Sequence, residues 1–332
     1  MAAGIRDVAN RAGVSVGTVS NVLNNPEKVA PATARRVLAA IDELGFVRND
    51  AARQLRAGSS RSIGLLVLDV RNPFFTDVAR GAEEAAQEAG LSVLLADSGE
   101  QTAREAAHLD LFEEQRVRGL LITPVGDVVE RLARLRARGI PVVLVDRLAS
   151  VGGFSSVSVD DVAGGRMAAE HLLATGRRRL LFVGGPLDLG QVSDRLAGAR
   201  AAVEAVADAR LDVLEIPSLT MTEGVSAARR ILESDDRPDA VFAANDVVAL
   251  GLLQGVGMLG GLRIPEDLAL VGYDDIDFAA AAAVPITSIR QPRDLIGRRA
   301  VELLLAEIEG SAARERIVFQ PELVVRESTR GR

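Results

Sequence analysis

The chain has 332 residues, of which 48% are hydrophobic, and its formal net charge at pH 7 is −7. This length and apolar content are typical of a water-soluble protein with two or three domains. Cysteine is absent, and the two histidines, His108 and His171, lie far apart in the sequence. This composition excludes disulfides and thiolate metal sites, and we expect neither a metal nor a cofactor.

The first residues and the hydropathy of the chain bear on its location. Residues 1–4 lead directly into a charged, periodic segment, which is unlike a secretory signal peptide. No apolar run approaches the roughly 18 residues needed to span a membrane. We therefore predict a cytoplasmic protein without a membrane partner.

Charge is unevenly distributed along the chain. Residues 1–58 hold eight basic and five acidic side chains, a net charge of +3, which leaves −10 for residues 59–332. A small basic segment on an acidic body is expected where only that segment meets phosphate. An excess of three charges also arises by chance, so charge alone does not decide for nucleic-acid binding.

Three amphipathic helices are predicted within residues 5–45. Gly13 permits the left-handed turn that ends the first helix, and Ser15 is placed to cap the second. Pro31 suits the first turn of the third helix, which ends at Gly45. The predicted inward positions are Ile5, Val8, Ala9 and Ala12, then Val19, Val22 and Leu23, then Val37, Leu38, Ile41 and Leu44.

Two helices joined by a short glycine-containing turn and followed by a third describe a helix-turn-helix, whose second helix enters the DNA major groove. The alternative is a three-helix bundle with a purely structural role. Asn21 could pair with an adenine edge, Val16 could contact a thymine methyl, and the short hydroxyl and amide side chains suit phosphates. The predicted DNA-binding residues are Ser15, Val16, Gly17, Thr18, Ser20, Asn21 and Asn24.

The stretch "DVANRAGVSVGTVSNVLN", residues 7–24, resembles the LacI/GalR family of bacterial transcription regulators. That family often carries larger polar residues at the positions of Val16 and Gly17, and Arg or His at Asn21. The operator sequence is therefore left open. Ala30 also departs from the family, which usually has Ser or Thr there to cap the third helix.

The segment of residues 48–60 is polar and contains Gly58 and two serines. The resemblance implies a hinge helix that folds on DNA and wedges a leucine between base pairs in the minor groove. On this basis Leu55 is the wedge, and Ala52 and Gln54 are its DNA-binding neighbours. The alternative is an ordinary flexible linker.

From residue 61 onward, apolar runs such as "SIGLLVLDV", "LSVLLA" and "IPVVLVD" alternate with amphipathic segments. This alternation predicts parallel strands, buried on both faces, with helices between them. The fold class is therefore α/β, with a helix-turn-helix domain and a body of two doubly wound parallel-sheet subdomains. The resemblance implies a body like that of periplasmic binding proteins, with three crossovers between lobes.

The expected boundaries are residues 1–47 for the DNA-binding domain, 48–60 for the hinge and 61–332 for the effector and dimerisation domain. The first lobe of the last domain comprises about 61–160 with 291–318, and the second about 161–290 with 319–330.

Ligands of such sheets bind beyond the carboxyl ends of the strands, where this chain places carboxylates, amides, arginines and phenylalanines. These residue types suit sugar hydroxyls and the apolar faces of sugar rings. Asp161 and Asp246 are assigned to helix capping, and Met221 or Phe278 to the opposite wall. The predicted ligand-binding residues, which also match ribose-type binding proteins at all positions except Thr123, are Asn72, Phe74, Phe75, Thr123, Asp146, Arg147, Arg195, Asn245, Asp274 and Gln291.

The combined hypothesis is a homodimeric repressor that binds a palindromic operator under the control of a small molecule. A neutral pentose or hexose is the favoured effector, and a purine or phosphosugar is the alternative. A solute-binding protein without regulatory function would lack the helix-turn-helix. An enzyme would need a nucleophile–base pair or a metal cluster, which the sequence does not offer, so no catalytic residue is predicted.

The stretch "GVGMLG", residues 255–260, matches the glycine spacing of a dinucleotide-binding turn. It follows an apparent helix rather than a strand, and a helix end explains it.

Overall fold

The computed structural model describes residues 3–46, 60–148, 153–310 and 314–330. The chain divides into two compact units, residues 1–59 and residues 60–332, and each is described by itself. The predicted hinge contacts Ala52, Gln54 and Leu55 lie outside the described residues.

The first unit contains the three predicted helices. They are α1 (Ile5–Ala12), α2 (Val16–Asn24) and α3 (Pro31–Leu44), with a 3₁₀ turn at Pro26–Lys28. Gly13 ends α1 in the left-handed region, with φ +65°, as the turn requires. Ser15 caps α2, because its Oγ accepts a hydrogen bond of 3.1 Å from the Thr18 backbone amide. Ala30 makes no side-chain cap, and α3 begins with Pro31 instead.

The small core of this unit forms where the three helices meet. Val8, Val19 and Val37 are fully buried there. The prediction for Leu38 was wrong, because its side chain is 49% exposed while Ala40 is buried. Leu38 sits at the edge of the helical stripe, where the spacing alone does not decide between the core and the solvent.

The second unit contains twelve strands and nine helices within its described residues. The strands are β1 (Ser62–Val67), β2 (Ser92–Asp97), β3 (Leu120–Ile122), β4 (Val142–Val145), β5 (Ser155–Val159), β6 (Arg179–Gly184), β7 (Arg210–Glu215), β8 (Ala240–Ala243), β9 (Ala269–Asp274), β10 (Thr287–Arg290), β11 (Arg316–Phe319) and β12 (Glu322–Val324). The helices are α4 (Pro73–Glu88), α5 (Thr102–Glu114), α6 (Val129–Ala137), α7 (Asp161–Ala174), α8 (Gly190–Glu204), α9 (Met221–Glu233), α10 (Asp246–Leu259), α11 (Asp277–Ala280) and α12 (Arg293–Glu309).

These strands form two six-stranded sheets. The first has the order β11-β5-β4-β3-β1-β2 and is parallel throughout. The second has the order β12-β10-β9-β8-β6-β7 and is parallel except for β12, which runs antiparallel to β10. The chain passes between the sheets after β5, β10 and β11, so each lobe is assembled from separate stretches of sequence.

Burial of the strands differs from the prediction at the sheet edges. Central strands β3, β4 and β8 are fully buried, as expected of parallel strands covered by helices. The edge strand β2 leaves Leu94 39% and Leu95 48% exposed, so the expectation that every apolar run is covered on both faces was wrong there.

The "GVGMLG" stretch lies at the end of α10, which terminates at Gly260.

Close helix packing around the sheets depends on glycine at particular positions. A Cβ on Gly297 of α12 would lie 1.9 Å from the Val78 carbonyl oxygen of α4. A Cβ on Gly165 of α7 would lie 1.9 Å from the Arg195 carbonyl oxygen of α8. Because Gly165 has no side chain, α7 and α8 pack closely, and this packing fixes the backbone position of Arg195.

Candidate effector cleft and nucleic-acid interface

The predicted DNA-reading surface is the N-terminal part of α2. Val16, Gly17 and Asn21 are exposed there, opposite the buried Val19. The Ser15 and Thr18 hydroxyls lie 2.9 Å apart, and Asn24 donates through Nδ2 to the Ser20 carbonyl oxygen over 2.9 Å. These bonds orient the short polar side chains on the exposed side of the helix. Their contact with DNA remains a prediction.

A narrow cavity, with a volume of about 30 Å³, lies in the second unit between the carboxyl ends of the two sets of strands. Seven of the ten predicted ligand-binding residues line it, as do several residues that the sequence analysis did not select. The predicted lining residues are Asn72, Phe74, Phe75, Asp146, Arg195, Asn245 and Asp274; the additional ones are Leu68, Asp69, Glu100, Leu189, Gln191, Val192 and Leu219.

Asp274, at the end of β9, lies between two amide side chains. Asn72 donates to its Oδ2 over 3.1 Å, and Gln291 donates to its Oδ1 over 2.8 Å. Gln291 thus supports Asp274 and does not itself line the cavity. The backbone of Asp274 has φ +102°, an uncommon value for a residue other than glycine. Burial raises the pKa of Asp274 above its ordinary value, while Arg195 and the two amides oppose the rise.

Arg195 is the buried cation of the cavity wall. Its Nε donates to Asp161 Oδ1 over 2.7 Å, and its Nη1 donates to the Ala244 carbonyl oxygen over 2.8 Å. The guanidinium carbon lies 3.7 Å from the centre of the Tyr273 ring, a cation–π geometry. Burial lowers the pKa of Arg195, but the carboxylates led by Asp161 outweigh it and raise the pKa above its ordinary value.

The capping roles assigned from the sequence to Asp161 and Asp246 were wrong. Asp160 caps α7 by accepting from the Ala163 amide, which leaves Asp161 to pair with Arg195. Asn245 similarly caps α10. Asp246 instead accepts from the Ser288 hydroxyl and the Ile276 amide. In both pairs the first polar residue after the strand takes the cap, and the second points into the protein.

Asp146, at the end of β4, is held by a residue that the sequence analysis missed. Gln191 donates through Nε2 to the Asp146 carbonyl oxygen over 2.7 Å and to its Oδ2 over 3.0 Å. Gln191 lies one helical turn before Arg195 on α8, and this spacing was the signal available in the sequence. The Oδ1 of Asp146 is buried and has no hydrogen-bond partner among the described residues. Burial, reinforced by Asp161, raises the pKa of Asp146 well above its ordinary value.

Several predicted residues lie away from the central cavity. Arg147 lines a neighbouring groove, where a Cβ on Gly190 would collide with its Nη1. Thr123 is fully buried and does not line the cavity. Met221 and Phe278 are 43% and 63% exposed and do not line the cavity. The apolar wall opposite Phe74 and Phe75 is formed instead by Leu189, Val192 and Leu219.

Glu100 was not predicted from the sequence. It follows β2 with φ +59° and lines the cavity close to Asp69. Burial, reinforced by the charge of Asp69, raises its pKa to about 7, although a hydrogen bond from the Leu219 amide lowers it. Its chemistry is therefore that of a carboxyl group that exchanges its proton near neutral pH.

The described residues contain no group of three or more His, Asp or Glu side chains arranged to hold a metal ion. None of their helices is both long enough and apolar enough to cross a membrane.

The fold and the cleft define a helix-turn-helix protein with a solute-binding type of body. Sequence comparison agrees on both parts. Residues 4–49 match the bacterial regulatory proteins of the lacI family, and residues 169–329 match a periplasmic binding protein-like domain.

Whole-chain relatives extend this match. The HTH-type transcriptional repressor PurR of Photobacterium profundum is 33% identical over 331 residues, which cover 98% of each chain. The ribose operon repressor of Escherichia coli (strain K12) is 32% identical over 98% of this chain and 99% of the relative. The crystal structure of the lac repressor dimer bound to operator and the anti-inducer ONPF is similar with a TM-score of 0.82, at 28% identity and 99% coverage of both chains.

The chain belongs to the lacI family of bacterial regulatory proteins. It is a DNA-binding transcriptional regulator with an effector-binding body, and the family and fold class predicted from the sequence are confirmed.

Proposed function

We propose that the chain is a repressor that binds a palindromic operator as a homodimer, and that a small polyhydroxylated molecule held between its lobes sets its operator affinity. The observation that carries this proposal is the cavity in which Asn72, from one lobe, bonds Asp274 from the other. A ligand that replaces or extends this bond interacts differently with the open and closed arrangements of the lobes. Such a difference is what lets a ligand shift a conformational equilibrium.

The lining favours a sugar over a flat heterocycle. Carboxylate and amide oxygens and nitrogens surround the cavity, and they suit hydroxyl groups, which donate and accept at the same time. Phe74 and Phe75 lie edge to face with their ring centres 4.9 Å apart, so one wall offers an aromatic surface. The opposite wall is aliphatic, at Leu189, Val192 and Leu219. A purine would be better served by aromatic rings on both sides.

Dimer formation follows from what a single helix-turn-helix can read. One α2 contacts too few base pairs to select a site in a genome, whereas two helices on a dimer read two half-sites about one helical turn apart. The relatives include a lac repressor dimer on its operator, which supports the same arrangement here. Effector and operator then change each other's affinity by one coupling factor.

The test uses the full chain in two stages. Randomised duplexes selected on the protein should yield a palindrome. The protein is then screened by thermal shift against neutral pentoses, hexoses, phosphosugars and purines. At a ligand concentration about 100 times Kd, stabilisation should be about 2.7 kcal/mol. A stabilising sugar that also changes operator affinity supports the proposal. A ligand that stabilises the protein without changing its operator affinity would contradict the proposal that binding in the cavity controls DNA binding.

A further inference from the structure

The charges around the cavity are unbalanced. Four carboxylates line it, at Asp69, Glu100, Asp146 and Asp274, whereas Arg195 is the one cation among the described lining residues. Arg195 is already bonded to Asp161, which lies behind it. Acidic side chains therefore outnumber basic ones in the lining, although burial raises the pKa of Glu100, Asp146 and Asp274 and so reduces the negative charge that they carry.

The charge of Asp69 is compensated by an arginine that does not line the cavity. The single Nε–H of Arg71 is shared between both carboxylate oxygens of Asp69, and the Nη2 of Arg71 donates to Asp69 Oδ2. The Arg71 side chain is 71% exposed. The Asp274 carboxylate accepts from two amides, which satisfies its oxygens but supplies no opposite charge. Glu100 has neither a bidentate arginine nor a pair of amides.

The position of Arg147 increases the difference between the numbers of acidic and basic side chains in the cavity. From its position at a strand end, Arg147 was predicted to be a second cation beside Arg195. The structure places its guanidinium at Gly190, in a neighbouring groove. The cavity thus loses one expected positive charge and gains the unexpected carboxylate of Glu100.

The loop that carries Glu100 is built to hold it in place. Gly99 and Glu100 both adopt left-handed backbone conformations, with φ +57° and +59°. The Gly99 amide donates to Asp97 Oδ1 over 2.7 Å, and the Glu100 amide donates to the Leu68 carbonyl oxygen over 3.2 Å. A non-glycine residue in this conformation is uncommon and carries strain that the surrounding structure must offset. The result is that the Glu100 side chain projects toward the cavity and the Leu219 amide.

A second, independent feature points to a missing hydrogen-bonding group. Asp146 is 3% exposed, and its Oδ1 has no hydrogen-bond partner among the described residues, although the same side chain lines the cavity. A buried carboxylate oxygen without a partner is costly unless a ligand donates to it. A ligand with several hydroxyl groups would supply the missing partner of Asp146, and a positive charge on the same ligand would offset the acidic side chains.

We propose that the effector is a polyhydroxylated compound with a protonated amino group, such as an amino sugar, and that Glu100 is the residue that selects for the amine. This inference rests on the proposed function and specifies its effector. Anionic compounds such as phosphosugars are disfavoured, because they would bring like charges together in a partly buried cavity. Neutral sugars can use the hydroxyl-binding groups but leave Glu100 with only the more distant charge of Arg71, which is already bonded to Asp69.

The experiment compares matched probes on the full-length protein. Glucose, galactose and mannose are titrated alongside their 2-amino-2-deoxy forms, N-acetylated amines and 6-phosphates. The titrations are repeated from about pH 6 to about pH 8, which spans the pKa of about 7 of Glu100 and the range in which a primary amine is protonated. The protein has one tyrosine and no tryptophan, and that tyrosine, Tyr273, stacks on Arg195. Its fluorescence reports ligand binding at the site, and calorimetry provides the affinities.

We expect at least one amine to bind about tenfold or more tightly than its parent hexose, a difference of about 1.4 kcal/mol. In Glu100→Gln, the ratio of the two affinities should fall to near one. Glu114→Gln, which alters an exposed carboxylate on α5 of the same lobe, should keep the wild-type ratio. Thermal unfolding establishes that each variant is folded.

The other outcomes separate this inference from the proposed function. Preference for a neutral or phosphorylated hexose would overturn the role of Glu100 while keeping a sugar-controlled repressor. An amine preference that survives in Glu100→Gln would do the same. If every probe failed to bind while purines shifted the melting temperature, both the sugar effector and the amine inference would be wrong.

Discussion

Asn72 and Asp274 meet across the cleft, where the Nδ2 of Asn72 donates to the Oδ2 of Asp274 over 3.1 Å, although 202 residues separate them in the sequence. The other end of the Asn72 amide accepts from the Phe74 backbone amide over 3.0 Å and so caps α4. One side chain therefore fixes the start of a helix in one lobe and the position of a carboxylate in the other. A ligand bound here acts directly on the contact between the lobes.

Asp274→Ala should abolish the effector response while leaving operator binding without effector in place. The substitution removes the carboxylate that accepts from Asn72 and Gln291 and that would accept from the ligand. A hydrogen bond to a charged group is worth about 1.5–3 kcal/mol. Operator affinity is measured by fluorescence anisotropy with and without effector. Asp235→Ala, at an exposed position in the same lobe, is the matched control. A normal response in Asp274→Ala would place the effector elsewhere.

Asn21→Ala should weaken operator binding by about 1–3 kcal/mol at each half-site and relax the preference for one base pair, because a bidentate contact to an adenine edge is lost. The measurement is competition among operator variants that differ at single positions. Asn10→Ala, on the exposed side of α1, should leave the base preference unchanged. An unaltered preference in Asn21→Ala would show that the residue contacts only the backbone of the DNA.

Arg195→Met should lower the free energy of unfolding by about 3–5 kcal/mol, since it leaves Asp161 charged, buried and unpaired. Both side chains are under 10% exposed. The double variant with Asp161→Asn should recover part of this loss, and Arg200→Met, at an exposed position of α8, should change stability by less than about 0.5 kcal/mol. Denaturant unfolding gives all three values. If the double variant were no more stable than Arg195→Met, the ion pair would not be the cause.

Gly297→Ala should destabilise the body by about 1–3 kcal/mol or more, because its Cβ would lie 1.9 Å from the Val78 carbonyl oxygen and force α12 away from α4. The matched control is Gly257→Ala in α10, where an added Cβ meets no atom within 4 Å. That variant should be more stable than the wild type by up to about 1 kcal/mol, owing to helix propensity. Thermal unfolding compares the two, and equal effects would contradict the packing argument.

Glu100 should make stability dependent on pH near neutrality. Its pKa in the folded protein is about 7, against an ordinary value of 4.5, so the folded state binds the proton more tightly than the unfolded state. The stabilisation from this group is complete below pH 4.5 and is lost as the pH rises through about 7. Glu100→Gln should therefore resemble the wild type in acid and become the more stable of the two above pH 7. A difference between them that is constant from pH 5 to pH 8 would contradict the raised pKa.

Local patterns in the sequence determined the parts of the protein that depend on neighbours along the chain. The spacing of Val8, Val19 and Val37 identified three amphipathic helices. Gly13 and Ser15 marked the turn and the cap between the first two, because their effects act within one or two turns of helix. The alternation of apolar runs and helices identified two parallel sheets, and the strand ends indicated where most of the cavity residues lie.

Only the tertiary structure decided how side chains are used where several elements meet. It exposed Leu38 and the outer face of β2, which apolar spacing alone assigned to the core. It gave Asp160 the cap and Asp161 the buried ion pair, a choice between adjacent carboxylates that local sequence does not resolve. It also moved Arg147 out of the cavity and brought Gln191 and Glu100 into it, because such placements depend on distances between residues far apart in the chain.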